Sequence, residues 1–148
     1  MSEFSHVDET GRLRMVDVGG KEVSRRRATA RARVRMAPAT AARLRALPKG
    51  DALAAAELAG IMAAKRTSEL IPLCHPLPLT AIDVRAEVAG NGVEIAASVE
   101  TTAQTGVEME ALVAASVAAL TVYDMAKAID KEMTVEEVRL VEKTKEPV

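Results

Sequence analysis

The period of apolar and polar positions changes several times along the chain, and each change marks an element. Over residues 28–36 the side chains alternate: Ala30, Ala32, Val34 and Met36 fall on one side and Arg31, Arg33 and Arg35 on the other, the two-residue period of a half-buried strand. The three arginines then read as a solvated basic face. Pro38 suits a first helical turn, so residues 39–47 are expected as a short helix that Pro48-Lys49-Gly50 breaks. Asp51 stands where it can cap a second helix, from residue 52 to 65 or 68, apolar on almost every side with Glu57 its one acidic residue. Such a helix needs cover on several sides, and Gly60 permits a close crossing. Pro72, Pro76 and Pro78 then hold the chain extended, so Cys74 and His75 sit on a stiff connector. Next, Ile82, Val84, Ala86 and Val88 alternate, Asn91-Gly92 offers a two-residue turn, and Val93, Ile95, Ala97 and Val99 alternate again: a hairpin. From 107 to 129 Met109, Leu112, Val113, Ser116, Leu120 and Tyr123 recur at three and four residues, a long helix. Val135, Val138, Leu140 and Val141 suggest a last strand.

The order strand, helix, helix, strand, strand, helix, strand, without internal repeats, predicts an α+β fold. The expected form is a ferredoxin-like sandwich, an antiparallel or mixed sheet with helices on one face. Residues 1–14 are polar and aperiodic and are expected as a flexible N-terminal arm; residues 15–148 are expected as one domain. The core must be built from small side chains, because Phe4 and Tyr123 are the only aromatics. Small side chains bury little area each, which favours extra burial between subunits. A single cysteine, Cys74, excludes an internal disulfide and any four-cysteine metal site, and fits a reducing compartment. No run of 18 apolar residues and no targeting segment is read, so a cytoplasmic location without membrane attachment is expected.

The net charge of −1 hides an asymmetry, since residues 12–49 carry twelve basic side chains against Asp17 and Glu22. That stretch can attract a phosphorylated metabolite, an acidic protein or nucleic acid, although the aromatics that stack on single-stranded bases are missing. A basic RNA-binding module and a non-catalytic oligomer that binds nucleotide are the readings from other classes.

Chemistry concentrates in few places. His75 is held by a neighbouring proline and can donate, accept or carry charge near neutral pH; the alternative is a structural histidine bonded to a carbonyl. Cys74 reads as packing, since adjacent residues of an extended segment point to opposite sides. A lone cysteine with one ordered histidine makes a protein-held metal improbable, and His6 lies in the arm. Magnesium carried by substrate phosphates would leave no such signature. Asp124 and Lys127, three apart near the end of the long helix, are either an exposed ion pair or an acid–base pair at a cleft margin. Glu108 and Glu110 suit a helix N-terminus electrostatically. Glu110 lies about 40° from Asp124 around the axis but about 21 Å along it. If both act, a partner subunit running the other way must bring one chain's Glu110 to another's Asp124. Lys49 precedes a helix N-terminus, a plausible anion corner, and Lys65-Arg66 is a second basic pair.

These segments resemble the cyclic pyranopterin monophosphate synthase family (molybdenum cofactor biosynthesis protein C). The match includes Met15-Val16-Asp17-Val18, Lys21, Ser24, Arg26 and Ala28, then Lys49-Gly50-Asp51. It continues through Ala63-Ala64-Lys65-Arg66-Thr67 and Leu70-Ile71-Pro72-Leu73-Cys74-His75-Pro76-Leu77, and then Gly106-Val107-Glu108-Met109-Glu110-Ala111-Leu112. It closes on Ala118-Ala119-Leu120-Thr121-Val122-Tyr123-Asp124-Met125 with Lys127. The resemblance implies that Lys49, His75, Asp124 and Lys127 line the catalytic pocket, Asp124 and Lys127 being the leading acid–base pair. It further implies substrate contacts from Leu73, Cys74, His75, Met109 and Glu110, with Lys21, Arg26 and Lys65 as basic binding groups. The implied reaction converts a 3′,8-cyclised dihydroguanosine triphosphate into cyclic pyranopterin monophosphate and pyrophosphate, a phosphorus–oxygen lyase reaction with no protein-bound cofactor. The implied assembly is a hexamer built from dimers, with shared sites.

Overall fold

The computed structural model describes residues 4–148, so residues 1–3 of the expected flexible arm lie outside it. Four strands form one sheet: β1 (Ser24–Arg35), β2 (Leu79–Val88), β3 (Gly92–Ala103) and β4 (Thr134–Pro147). Their order is β2-β3-β1-β4 and every pairing is antiparallel. Two long helices, α2 (Ala52–Lys65) and α4 (Glu108–Ala126), cover one face; the connections hold the short α1 (Pro38–Ala41) and α3 (Thr67–Leu70). The segment containing α2 joins β1 to β2 and that containing α4 joins β3 to β4, neither pair being neighbours, which is the doubled split crossover of the ferredoxin-like plan. The α+β sandwich read from the sequence is therefore the fold, with an antiparallel sheet.

Alternation in β1 does what its period demands. Ala28, Ala30, Ala32 and Val34 are fully buried, opposite Val99, Ala97, Ile95 and Val93 of β3. Ala111, Ala114, Ala115, Ala118 and Ala119 of α4 meet this surface, so the core is thin and depends on close backbone approach. At Gly60 of α2 an added Cβ would lie against Val84 and the Ala114 carbonyl, as the expected close crossing requires. Outward, α2 leaves Leu58 and Met62 exposed and α4 leaves Leu120 exposed, so one chain does not cover its own helices.

The open face of the sheet is not a bare basic surface. Arg33 meets Glu94 and Glu136, Arg35 meets Glu136, Arg25 meets Glu146 and Arg27 approaches Glu100. Arginines on alternate β1 positions thus stand opposite carboxylates of β3 and β4, the cross-strand arrangement of opposite charges. Much of the basic excess of residues 12–49 is spent here, which removes the main support for an RNA-binding surface.

Three local expectations are corrected. The helix expected over 39–47 stops at Ala41, where the chain tightens into three-residue turns, Arg43 N donating to Thr40 O at 3.0 Å and Ala46 N to Arg43 O at 2.9 Å; the Leu44 carbonyl, which Pro48 cannot serve for want of an N–H, accepts from Ala52 N at 2.7 Å. The hairpin turns on Gly90-Asn91, one residue earlier than expected; Ala89 N donates to Gly92 O at 2.9 Å, and Gly90 takes the positive φ of +60°. The expected last strand is present as β4, 14 residues long, and two register shifts against β1 accompany its irregular apolar pattern. Finally, α4 has the length and mean hydropathy, 1.4, of a membrane span, although no such segment was read from the sequence; half of it is buried against the protein.

Gly92 belongs to β3 because a side chain does not fit: a Cβ there would overlap the Val34 carbonyl oxygen. Gly92→Ala should cost about 1–3 kcal/mol through forced separation of β1 and β3. Urea unfolding at unchanged m-value checks this, and a loss under 0.5 kcal/mol would contradict the close contact.

Candidate functional site

Lys49 sits at the tip of a reversal in which Leu47 and Gly50 exchange backbone hydrogen bonds of 3.1 and 2.9 Å. Immediately after it, the Asp51 carboxylate caps α2 by accepting from Leu53 N and Ala54 N at 3.0 and 3.1 Å. Both constraints hold Lys49 against the end of α4. Its Nζ donates to Asp124 Oδ2 at 3.0 Å and to the Asp124 carbonyl at 3.3 Å, while Lys127 Nζ lies 2.9 Å from Oδ1. One carboxylate is gripped by two ammonium groups, and the hydrogen bonds from Lys127 and then Lys49 hold Asp124 below the usual carboxylate range. All three side chains are about half exposed. The cluster is a compact acid–base and anion-binding group open to a ligand from solvent.

At the other end of α4 lies a cavity of about 480 Å³ bordered by Lys21, Leu73, Cys74, His75, Met109 and Glu110. The stiff extended connector expected here begins as a turn instead, Cys74 N donating to Ile71 O at 3.2 Å around Pro72-Leu73, and the chain from Cys74 to Pro78 then runs without regular structure along the cavity wall. Glu110 is only 3% exposed, yet its Oε1 has no hydrogen-bond partner in the chain. Burial pushes its pKa up, a carboxyl poised to take a ligand's donor. The Cys74 thiol donates to Glu110 Oε2 at 3.8 Å, and burial followed by the Glu110 charge raises the thiol to about 11.

That value gives Cys74 a packing and contact role, not a nucleophile's. At pH 8 the thiolate fraction is on the order of one in a thousand, so an alkylating reagent should modify Cys74 slowly, accelerating about tenfold per pH unit. Modification at pH 8 as fast as that of a free cysteine would contradict the buried thiol. In line with this, His75→Ala should lose more substrate affinity or rate than Cys74→Ala on matched folded samples.

The site residues read from the sequence thus fall into two groups. Lys49, Asp124 and Lys127 meet at one end of α4; Lys21, Leu73, Cys74, His75, Met109 and Glu110 meet at the other. Arg26 lies beside the second group, its Nε and Nη2 donating to Ala103 O at 3.2 Å and Gln104 O at 3.4 Å. Lys65 ends α2, exposed and outside the cavity lining. Other lining residues were not read as part of the site, Glu108, Val16 and His6 among them. Glu108 was read only as a favourable charge at a helix start, and Val16 precedes regular structure. His6, set aside as part of the arm, borders the cavity with its ring nitrogen 3.1 Å from Arg14 O. Only the fold shows this, because it brings Gln104 against the stretch after His6: its amide donates to Gly19 O and Lys21 O at 3.0 and 3.2 Å. Among the described residues no three His, Cys, Asp or Glu side chains converge as a metal site.

The sequence profile of the MoaC family matches residues 15–146, a span that takes in every site residue named above except His6. The chain belongs to the MoaC family. It is similar to the cyclic pyranopterin monophosphate synthase of Roseiflexus sp. (strain RS-1), 60% identical over 97% of this chain and 94% of that protein. It is also similar to the synthase of Herpetosiphon aurantiacus, 59% identical over 95% and 88%. That of Streptomyces avermitilis is 56% identical over 95% and 84%. For a MoaC-family chain the division of the site is the main geometric fact. The two groups flank α4 about 21 Å apart along its axis, too far for one compact ligand to touch both in a single chain.

Proposed function

We propose that this chain catalyses the cyclic pyranopterin monophosphate synthase reaction in pockets that each draw on two subunits. The activity follows from membership of the MoaC family at 56–60% identity to synthases matched over nearly their whole length. The chain is a lyase of molybdenum cofactor biosynthesis, turning the 3′,8-cyclised dihydroguanosine triphosphate into cyclic pyranopterin monophosphate and pyrophosphate.

The observation that carries the shared pocket is the separation of the Lys49–Asp124–Lys127 cluster from the Glu110 cavity, together with the exposed Leu58, Met62 and Leu120 on the same helical layer. A twofold packing of those helices would cover the apolar side chains and set one chain's Glu110 cavity against its partner's lysines. In that pocket Lys49 and Lys127 offset charge on the departing pyrophosphate, and Asp124 and Lys127 pass protons during ring opening and closure. The buried Glu110 and His75 hold the ring portion. Further association of dimers into a hexamer and a cytoplasmic setting complete the reading, with magnesium, if used, arriving on the substrate's phosphates.

The deciding measurement is turnover of the cyclised triphosphate by purified protein, followed by stoichiometric release of pyrophosphate and pterin. A folded chain that binds the substrate and releases neither product would overturn the reading.

A further inference from the structure

The two lysines that grip Asp124 arrive from different parts of the chain, and one carboxylate outside the cluster ties those parts together. Asp130 lies three residues beyond Lys127, where its own N–H donates to Ala126 O at 3.1 Å and closes the end of α4. Its Oδ2 accepts from Ala37 N at 3.1 Å and from Thr40 Oγ1 at 2.8 Å, across 93 and 90 residues of sequence. Its Oδ1 accepts from Glu132 N at 2.9 Å and turns the chain toward β4. The contact with α1 has a physical reason. Ala37 stands at the N-cap position without a side chain that can take the free amides of a helix start, so Asp130 takes one from outside. Thr40 is 5% exposed, and this carboxylate is what its buried hydroxyl donates to.

We infer that Asp130 is a positioning residue of the acid–base cluster, holding the segment that delivers Lys49 at a fixed place beside the end of α4 that carries Asp124 and Lys127. From Thr40 the chain reaches Lys49 in nine residues, and Leu44 and Leu47 on the way are buried. A displacement at α1 is therefore carried along a packed segment to the lysine. Three donors on one carboxylate, led by Glu132 N and followed by the Thr40 hydroxyl and Ala37 N, hold Asp130 below the usual carboxylate range, so it stays ionised and the tie stays closed near neutral pH. Asp130 borders neither the Glu110 cavity nor the Asp124 carboxylate. It acts through geometry alone, where a misplacement of about 1 Å can cost on the order of 100-fold in rate. What the cluster catalyses rests on the function proposed above; the tie between the two segments does not.

The test is a crystal structure and a pH–rate profile of Asp130→Asn, with Thr40→Val and Thr40→Ser alongside. Asparagine has nearly the same volume, but its NH2 cannot accept, so either Ala37 N or Glu132 N loses its partner. Thr40→Val deletes one hydroxyl at nearly constant shape, and Thr40→Ser keeps it. In Asp130→Asn the 3.0 Å contact of Lys49 Nζ with Asp124 should open beyond hydrogen-bond distance, with kcat per folded chain lower by about tenfold or more. Thr40→Val should follow with a smaller loss, and Thr40→Ser should behave as the unsubstituted chain does. Lys49 from the connector and Lys127 from the helix end are the charged side chains that pair with Asp124 among the described residues. Loss of the Lys49 grip should therefore raise the Asp124 pKa and move the acidic limb toward higher pH. A smaller folded fraction would lower the rate and leave that limb in place. The inference is overturned by a Lys49–Asp124 contact kept in folded Asp130→Asn, by an opened contact with kcat within about twofold, or by a rate loss with an unmoved limb. If Asp130→Asn does not fold, the Thr40→Val and Thr40→Ser pair carries the same three readouts. A contact that opens in a protein that does not turn over the cyclised triphosphate would leave the positioning of Lys49 standing and remove the synthase reading.

Discussion

Lys127→Ala and Asp124→Asn should each abolish product formation, lowering kcat by about 10²–10⁴-fold, while the protein stays folded and assembled. The size follows from what a positioned acid or base contributes to a proton transfer. The preservation of fold follows from position: Asp124 and Lys127 are about half exposed, while the buried stripe of α4 is carried by Ala111, Ala114, Ala115, Ala118 and Val122. The two substitutions act differently on the cluster. Asp124→Asn removes the negative charge between two ammonium groups, and because Lys49 and Lys127 bind opposite oxygens, one of them then faces the amide NH2 and loses its hydrogen bond while the two lysines repel each other. Lys127→Ala leaves the carboxylate with Lys49 alone. Because its hydrogen bonds hold Asp124 below the ordinary carboxylate range, the unsubstituted enzyme should keep Asp124 ionised to lower pH than a free carboxylate. An acidic limb governed by this group should therefore move toward higher pH in Lys127→Ala, measurable in whatever activity remains. Near-normal turnover in either folded variant would end the acid–base assignment of that residue.

The parts of the fold legible in the sequence are those whose residues answer to a neighbour two, three or four positions away. Strands β1, β2 and β3 keep their alternation because one side faces alanine-rich helices and the other faces solvent and ion pairs. Helices α2 and α4 are legible from the Asp51 cap and the three-to-four spacing. What escaped depends on atoms far apart in the chain. The Leu44 carbonyl finds Ala52, not residue 48, and only the missing N–H of Pro48 hinted at it. Arg33 looked like a solvated cation because its partners Glu94 and Glu136 lie some 60 and 100 residues away, on strands whose register fixes the meeting.

The candidate site divides the same way. Asp124 and Lys127 are legible as a helical pair, and their separation from Glu110 follows from helical rise alone. The grip of Lys49 on Asp124 is not, since 75 residues separate them; it depends on α2 and α4 running antiparallel so that the start of one meets the end of the other. Lys143 and Lys145 carried no signal beyond two cations on one side of a strand, and Glu108 none beyond its place in a helix's first turn. The approach of Lys143 to Glu108 at 3.3 Å appears only when β4 is laid against β1.

Mixing two dead proteins should restore activity. Take Glu110→Ala, which spoils the buried cavity, and Asp124→Asn, which spoils the lysine-bound cluster, each inactive alone. If every pocket joins the Glu110 cavity of one chain to the Asp124 cluster of its partner, a mixed dimer contains one pocket with both defects and one with neither. At equal amounts and free exchange half of the dimers are mixed, so about a quarter of all pockets are intact and activity should return to about a quarter of the unsubstituted level. The dependence on mixing ratio is equally specific: recovery follows the product of the two fractions and falls to zero at either extreme. Glu110→Ala also empties a buried position that now holds a carboxyl with an unpartnered oxygen, so its folding must be checked, and Glu110→Gln supplies a second inactive partner of nearly equal volume. Exchange demonstrated by tagged subunits, with both variants folded and inactive and no activity recovered, would show that both residues serve one chain's site or that one of them serves none. The physical basis of the expected recovery is a single dimension: a compact ligand cannot span about 21 Å of one helix, but it can bridge the opposite ends of two that run antiparallel.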